Sequence, residues 1–302
     1  MAPLVAVIGD ALLDVHVTPA APIAPGADVP AAVRLHPGGQ GANLATRLAR
    51  RGVAVRLTCA LGDDAAGAIL RAALAADRVD VHPIASPATG AVVVLVAADG
   101  GRTMLSQRVP FVDRLDIGAA AAGVEWLVLS GYLLLEPNAP DMAEHVEDSV
   151  RLVVVGCAIA PDGVARWIGA LRALRPSLVV LNREEATLVS AAVGDAGQVA
   201  VALAHALGAS VVVTEPDGAS AAVGDRVTRV SAPGGARATD TTGAGDAFAA
   251  TLLVGLLADP WPPTVEAIER AMDAASRAAS EVARSDGAQA RVAGESFAGA
   301  ES

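Results

Sequence analysis

Short, continuous apolar runs alternate along the chain with longer stretches whose apolar positions recur every three or four residues. Leu4–Ile8, Val53–Ala60, Val79–Ile84, Ala91–Ala97, Glu125–Leu129, Leu152–Val155, Leu178–Leu181 and Val211–Thr214 are of the first kind and predict strands. Gln40–Arg51, stopped by Gly52, predicts a helix, as does a stretch capped by Asp63 or Asp64 and reaching Asp77. Further helices are expected at Asp113–Ala122, Asn138–Val150, Asp162–Leu174, Glu184–Ala192 and Val199–Leu207. A hairpin-like pair, Ala219–Val223 and Arg226–Val230, precedes two Ala-rich helices starting at Gly245 and Pro263. Strands without internal polar alternation, separated by helices, imply an α/β fold with a mostly parallel sheet covered on both faces.

Two segments break this rhythm. Val15–His36 is Pro-rich, with short strands expected near Val15–Thr18 and Ala31–Leu35. Gly90–Arg108 carries two strand runs around Asp99-Gly100-Gly101, a hairpin signal. Strands that do not fit the parallel sheet predict a small separate sheet, serving as a lid, an oligomer interface or both.

Composition narrows the chemistry. The 302 residues include 69 alanines and 22 arginines but no lysine. That excludes a P-loop NTPase, pyridoxal enzymes and Schiff-base aldolases, all of which require a lysine amine. A net charge of −11 argues against nucleic acid and anionic membrane partners. The long uncharged stretches Val81–Ala98 and Ala196–Thr214 are interrupted by Pro, Gly and His, so each reads as two short elements rather than one span of about 20 residues. The N-terminus has no basic region and meets Asp10 early, which predicts a cytoplasmic protein without a signal peptide. Cys59 and Cys157 lack metal-ligand spacing and read as small core residues.

Four segments carry candidate chemistry. In Asp240-Thr-Thr-Gly-Ala-Gly-Asp246 a small-residue turn runs into an apolar helix. Free amides at a helix start attract an anion, and Gly243 and Gly245 allow close backbone approach. Asp246 suits a general base beside a phosphoryl group, or simply an acid favoured by the helix dipole. Pro37-Gly38-Gly39-Gln40-Gly41-Ala42-Asn43 is a second Gly-rich turn into a helix, where Asn43 either contacts a polar ligand or caps. Asp10 and Asp14 follow the first strand, where open parallel sheets bind ligands, and are either hydroxyl acceptors or turn residues. Asn182-Arg-Glu-Glu185 opens a helix and either caps it or orders a hydrated Mg2+.

Together these segments resemble the ribokinase-like (PfkB) family of carbohydrate and nucleoside kinases over essentially the whole chain. Gly38-Gly39-x-x-x-Asn43, Asn182-x-x-Glu185 and Asp240-Thr-x-Gly-Ala-Gly-Asp246 stand in the family's order, joined by Gly9-Asp10-x-x-x-Asp14 and Ser130-Gly131-Tyr132…Glu136-Pro137. The resemblance implies a three-layer αβα sandwich with a mostly parallel central sheet and a small β-sheet lid, as one kinase domain over 1–302 with lid segments at about 15–36 and 90–108. It implies ATP-dependent phosphorylation of a sugar or sugar acid, with a nucleoside as the alternative acceptor. A ligand-binding or regulatory protein with weakened ATP use is the alternative from another class.

By the same resemblance, Asp246 is the base, and the amides of Gly243, Ala244 and Gly245 form the anion hole. Asp14, Gly38, Gly39 and Asn43 hold sugar hydroxyls, with Glu136 as a further candidate. Asn182, Glu185, Thr214 and Gly218 serve the nucleotide, with Mg2+ held by Glu185 through water. Asp240 and Thr242, with backbone near Ser285–Gly287, resemble a monovalent-cation (K+) site, and a homodimer through the lid is expected. Four departures stand out: Gln40 occupies a position where ribokinases often have Lys, Leu12 one where they often have a polar residue, Gly156 replaces a common acid, and the nucleotide loop Val213-Thr214-Glu215-Pro216-Asp217-Gly218 is short and lacks its first Gly.

Overall fold

The computed structural model describes residues 4–97, 101–233 and 243–284. The chain runs β1 (Leu4–Ile8), β2 (Leu12–Pro19), β3 (Ala31–Gly38), α1 (Gln40–Arg50), β4 (Ala54–Gly62), α2 (Ala65–Ala76), β5 (Asp80–Ser86), β6 (Gly90–Val96) and β7 (Arg102–Gln107). It continues with α3 (Ile117–Ala121), β8 (Trp126–Ser130), β9 (Arg151–Val155), α4 (Val164–Leu174), β10 (Leu178–Asn182), α5 (Arg183–Ser190) and α6 (Ala196–Leu207). The last elements are β11 (Ser210–Glu215), β12 (Gly218–Val223), β13 (Arg226–Ser231), α7 (Ala244–Leu256) and α8 (Val265–Val282).

Nine strands form one sheet in the order β13-β12-β11-β10-β9-β8-β1-β4-β5, parallel from β11 through β5, with β12 and β13 added as an antiparallel hairpin. Successive residues of the central strands feed opposite cores. Val5, Val7, Trp126 and Val128 pack on one face, Ala6, Ile8, Leu127 and Leu129 on the other. Helices cover both faces, so continuous apolar strands are what the architecture requires. The chain leaves β1 toward β4 on one side and returns through β8 on the other. The crevice at the C-terminal ends of β1 and β8 is therefore a topological switch point, where α/β sheets bind ligands.

β2, β3, β6 and β7 form a separate four-stranded sheet in the order β3-β2-β6-β7, with β2 and β6 parallel and the other pairs antiparallel. Its inner face buries Leu12, Asp14, Val92 and Val94. Alternation places Val15, Val17, Val33, Leu35, Val93, Leu95 and Leu105 on the outer face, where Val33, Leu35 and Leu105 are more than half exposed.

Two expected helices are much reduced. Asp113–Ala122 becomes a 3-10 turn at Val112–Arg114 and the five-residue α3, because the Asp116 side chain accepts from Ala119 N at 2.9 Å and restarts the helix there. Asn138–Val150 is a 3-10 segment over Ala139–His145. Pro140 sits in its first turn, and the Asn138 side chain bonds Asp113 instead of capping. No helix among the described residues is long and apolar enough to cross a membrane. Cys59 and Cys157 are buried free thiols, each pushed up to about 12, chiefly by burial.

Candidate active site

The Gly-rich turn before α1 lies against the segment leaving β1. Gly39 has φ +90°, and a Cβ there would sit 2.6 Å from the Asp10 carbonyl oxygen. Ala42 N donates to Asp10 O at 3.1 Å. The close approach leaves Asp14 lying directly over Gly38, in the volume that a side chain at 38 would fill.

This packing carries α1 to α7. Asn43 Nδ2 donates to Asp246 Oδ2 at 2.8 Å across 203 positions of sequence. Asp246 stands in the first turn of α7, behind the left-handed Gly243 (φ +76°). Desolvation raises its carboxyl above the usual range, opposed by the Asn43 bond, the Arg47 charge, a bond from Gln40 and the Arg108 charge. The first amides of a helix have no intrahelical acceptor, so those of Gly243, Ala244 and Gly245 remain available. Among the described residues a Cβ on Gly245 would meet nothing within 4 Å, which leaves room for a ligand group beside them. Asp240, Thr242 and Ser285–Gly287 lie outside the described residues.

The crevice beside Asp10 is walled by residues from three strand ends. Arg108, just after β7, pairs with Asp10 and places its guanidinium 3.4 Å from the centre of the Tyr132 ring. A cavity of about 240 Å³ lies there, bounded by Asp10, Arg108, Phe111, Tyr132 and Glu136 among others. Glu136 Oε2 accepts from Phe111 N at 2.9 Å and Val112 N at 2.8 Å, so this oxygen anchors the loop rather than facing a ligand. Arg108 is the key residue that sequence patterns left indistinct. As one of several arginines in the lid segments, it had no local signal separating it from a solvated one.

Asp14 is 6% exposed, and burial, reinforced by Asp246, pushes its carboxyl up to about 7. The folded protein therefore holds this proton more tightly than the unfolded chain between about pH 4 and 7, and stability falls as pH rises through that window. Asp14→Asn is expected to melt about 2–5 °C above wild type at pH 8, with the gap narrowing by pH 5 and closing near pH 4. The same variant should raise the KM of a substrate whose hydroxyl meets Asp14 about tenfold or more, because one accepting carboxylate is lost. Melting curves across pH with parallel KM values check both; an equal Tm difference at pH 5 and pH 8 would refute the ionisation argument.

Parallel pairing of β10 with β11 sets Asn182 beside Thr214. Asn182 and Glu185 form a reciprocal capping box on α5. Glu185 N donates to Asn182 Oδ1 at 2.8 Å, and Asn182 N to Glu185 Oε2 at 2.9 Å. Glu185 also occupies the space beside Gly156, so an acid at 156 would collide with it. Burial, against the Asn182 bond and with help from Glu184 and Asp246, pushes Glu185 up to about 7.

Gly218 begins β12 where a Cβ would strike Val230 O, so its immediate role is to close the β12–β13 pairing. A cavity of about 210 Å³ opens between Thr214, Pro216, Gly218, Gly245, Phe248, the α8 residues Ser276 and Ala279, and Ala283 just beyond α8. Glu215, a negative charge at this mouth, has Arg229 Nη2 3.9 Å away. Among the described residues, no group of three His, Cys, Asp or Glu side chains is placed to hold a metal.

Two Gly-rich turns meeting at one carboxylate, a small lid and a second cavity at a helix start agree with the comparisons. Residues 2–293 match the family model described as pfkB family carbohydrate kinase. The chain belongs to that family. It is 30% identical over 253 residues to a fructokinase from Klebsiella pneumoniae, covering 77% of this chain and 80% of that protein. It is 32% identical over 250 residues to a fructokinase from Salmonella typhimurium, covering 77% and 81%.

An adenosine kinase structure from Sinorhizobium meliloti superposes with a TM-score of 0.77 at 21% identity, covering 97% of each chain. A ribokinase structure from Thermotoga maritima gives 0.77 at 18% identity, covering 96% of this chain and 95% of the other. Both establish the ribokinase-like fold. The protein is a carbohydrate kinase of the pfkB family, and the reading as a regulatory protein on a kinase fold gives way to it.

Proposed function

We propose that this pfkB kinase transfers the γ-phosphate of ATP to a hydroxyl of a small neutral sugar bound at the β1/β8 crevice. The observation that carries the reading is the Asn43–Asp246 contact, which sets one carboxylate between the sugar-side loop and the start of α7. Asp14 and the Gly38-Gly39 turn orient the acceptor, and Asp246 removes the proton from its attacking hydroxyl. The amides of Gly243, Ala244 and Gly245 face the charge that builds on the transferring group, which is most of what phosphoryl transfer requires. The lid sheet excludes water.

The cavity beside Thr214, Phe248 and Ala279 is walled by small and apolar groups and suits the flat base of a nucleotide. Arg229 offsets Glu215 at its mouth. When bound, ATP supplies the phosphoryl group and Mg2+ spreads its charge. Glu185, through water, is the side chain placed to steady the metal, with Asn182 acting mainly as the cap that fixes Glu185. The cation role of Asp240 and Thr242 rests on the family resemblance alone.

Neutral sugars are favoured over sugar acids because Arg108, the cation at the sugar cavity, is already paired with Asp10. Nucleosides lose support because Phe111 is buried and one face of the Tyr132 ring is already taken by Arg108. Given the fructokinase relatives, fructose is the first acceptor to test. ADP release is expected with fructose or a related neutral sugar and not with nucleosides; turnover confined to nucleosides or sugar acids would overturn the assignment.

The outer lid face, with Val33, Leu35 and Leu105 exposed, supports a homodimer through this sheet. Light scattering is expected to give twice the chain mass, and Leu35→Asp with Leu105→Asp to give a monomer. A wild-type monomer would remove the proposal.

A further inference from the structure

Fold alone does not choose between a sugar and a nucleoside as acceptor; the side chains at the crevice do. A nucleoside brings a flat base, and proteins hold bases largely by stacking them on aromatic rings. Among the described residues, the aromatic side chains that wall the cavity beside Asp10 are Phe111 and Tyr132. Phe111 is 3% exposed, which leaves the Tyr132 ring as the stacking platform. The Arg108 guanidinium lies 3.4 Å from the centre of that ring. It is a planar cation at stacking distance, in the place a base would take.

The guanidinium is held there from several sides. β7 pairs with β6 as far as Gln107, opposite Ala91, so Arg108 leaves the lid sheet at a defined point. Three residues on, Phe111 N and Val112 N donate to Glu136 Oε2, which pins the far end of the same loop. Between these anchors Arg108 Nη1 donates to Asp10 Oδ2, and the Asp10 side chain is only 11% exposed. A base settling on Tyr132 would displace the guanidinium and leave that carboxylate without its cation, a costly state for a mostly buried charge. The cavity left beside the pair is about 240 Å³, below the roughly 300–1,000 Å³ of pockets that take drug-sized ligands. It suits a sugar ring better than a sugar with a base attached.

We infer that Arg108 is the specificity-determining residue of the acceptor site: its guanidinium takes the Tyr132 ring in place of a nucleobase and confines the enzyme to sugars. The inference rests on the crevice beside Asp10 being the acceptor site, as proposed above. Cutting Arg108 back uncovers the ring and adds its volume to the cavity, so one substitution should widen the acceptor class.

The test compares wild type with Arg108→Ala, with Asp10→Asn/Arg108→Ala and with Arg108→Ala/Tyr132→Leu. Asp10→Asn removes both charges together and carries the test where a lone Asp10 prevents folding. ADP release is measured with fructose and with adenosine, whose purine has a wide stacking face. Adenosine binding is measured by calorimetry in the full chain without ATP. Wild type should neither bind nor phosphorylate adenosine. Arg108→Ala, alone or with Asp10→Asn, should raise kcat/KM for adenosine relative to fructose about tenfold or more, the contribution of one base–aromatic stack. Tyr132→Leu added to Arg108→Ala should cancel that gain.

No gain in adenosine binding or turnover in the folded Arg108 variants would overturn the inference. A gain that survives Tyr132→Leu would also overturn it, because the opened volume and not the ring would then be responsible. A rise in fructose KM with nothing gained for adenosine would make Arg108 a sugar contact and overturn it too. If wild type phosphorylates no sugar, the proposed reaction fails, while adenosine binding across the variants still decides whether Arg108 guards Tyr132.

Discussion

Replacing Asp246 by Asn is expected to lower kcat by about 10³–10⁴-fold while leaving the sugar KM within about threefold. Asn has nearly the same shape, and its carbonyl oxygen still accepts the Asn43 Nδ2 hydrogen bond seen at 2.8 Å. What it lacks is the ability to take a proton, so the loss falls on the transition state and not on ground-state binding. Because desolvation raises the Asp246 carboxyl, its ionised form is held at a cost to the fold above the unfolded-state pKa. The neutral variant should therefore melt no lower than wild type at pH 8. Steady-state ADP release with a melting curve separates the two effects. Turnover within tenfold of wild type would remove Asp246 from the role of base.

The second large effect is structural and is centred on Gly41. A Cβ there would lie 2.6 Å from the carbonyl carbon of Gly9 and 2.7 Å from its Cα. Both neighbours are backbone, so no side chain can swing away. The collision forces α1 off the segment that follows β1, the contact that carries Asn43 to Asp246 and lays Gly39 over Asp10. Gly41→Ala is expected to cost about 2–4 kcal/mol, near the upper end of overpacking penalties. Gly41→Val should be worse, and the sugar KM should rise with it.

Gly169, in the middle of α4, serves as the control. It is exposed, a Cβ there would meet nothing within 4 Å among the described residues, and Gly169→Ala should stabilise by about 0.5–1 kcal/mol through helix propensity. Denaturant melts of both variants check the contrast. A Gly41→Ala protein as stable as Gly169→Ala would show that α1 is not clamped where it appears.

The opposed outcomes at the two glycines mark how far the sequence could be read. Both are Gly within helices, and nothing local distinguishes them; only the partner backbone does. The β/α alternation was readable because each parallel strand is buried on both faces and each helix must present one apolar stripe, rules that act over a few residues. The lid was readable as two segments that fit no such unit, though β2 extends from Leu12 to Pro19 and β3 from Ala31 to Gly38, longer than the short strands expected. The helices expected at 113–122 and 138–150 failed because side chains chose partners that periodicity does not weigh: Asp116 caps a restart, and Asn138 bonds Asp113.

At the site, composition and motif order determined the class of chemistry. A chain without lysine is left with arginines and backbone amides to meet a phosphate, and the turn at Gly243–Gly245 offers amides at a helix start. Tertiary structure alone decided which atoms meet. Asn43 is bonded to Asp246, Glu136 Oε2 to two loop amides, Asn182 and Glu185 to each other, and Arg108 to Asp10 across 98 positions. Gln40, where the family often carries Lys, spans 116 positions to Gly156 and lies at the junction of two strand ends. A local pattern fixes the conformation of its own segment, because backbone preference and amphipathic burial act over a few residues. Hydrogen-bond partners and the pKa values they set depend on chain segments that sequence leaves far apart and packing brings to one crevice.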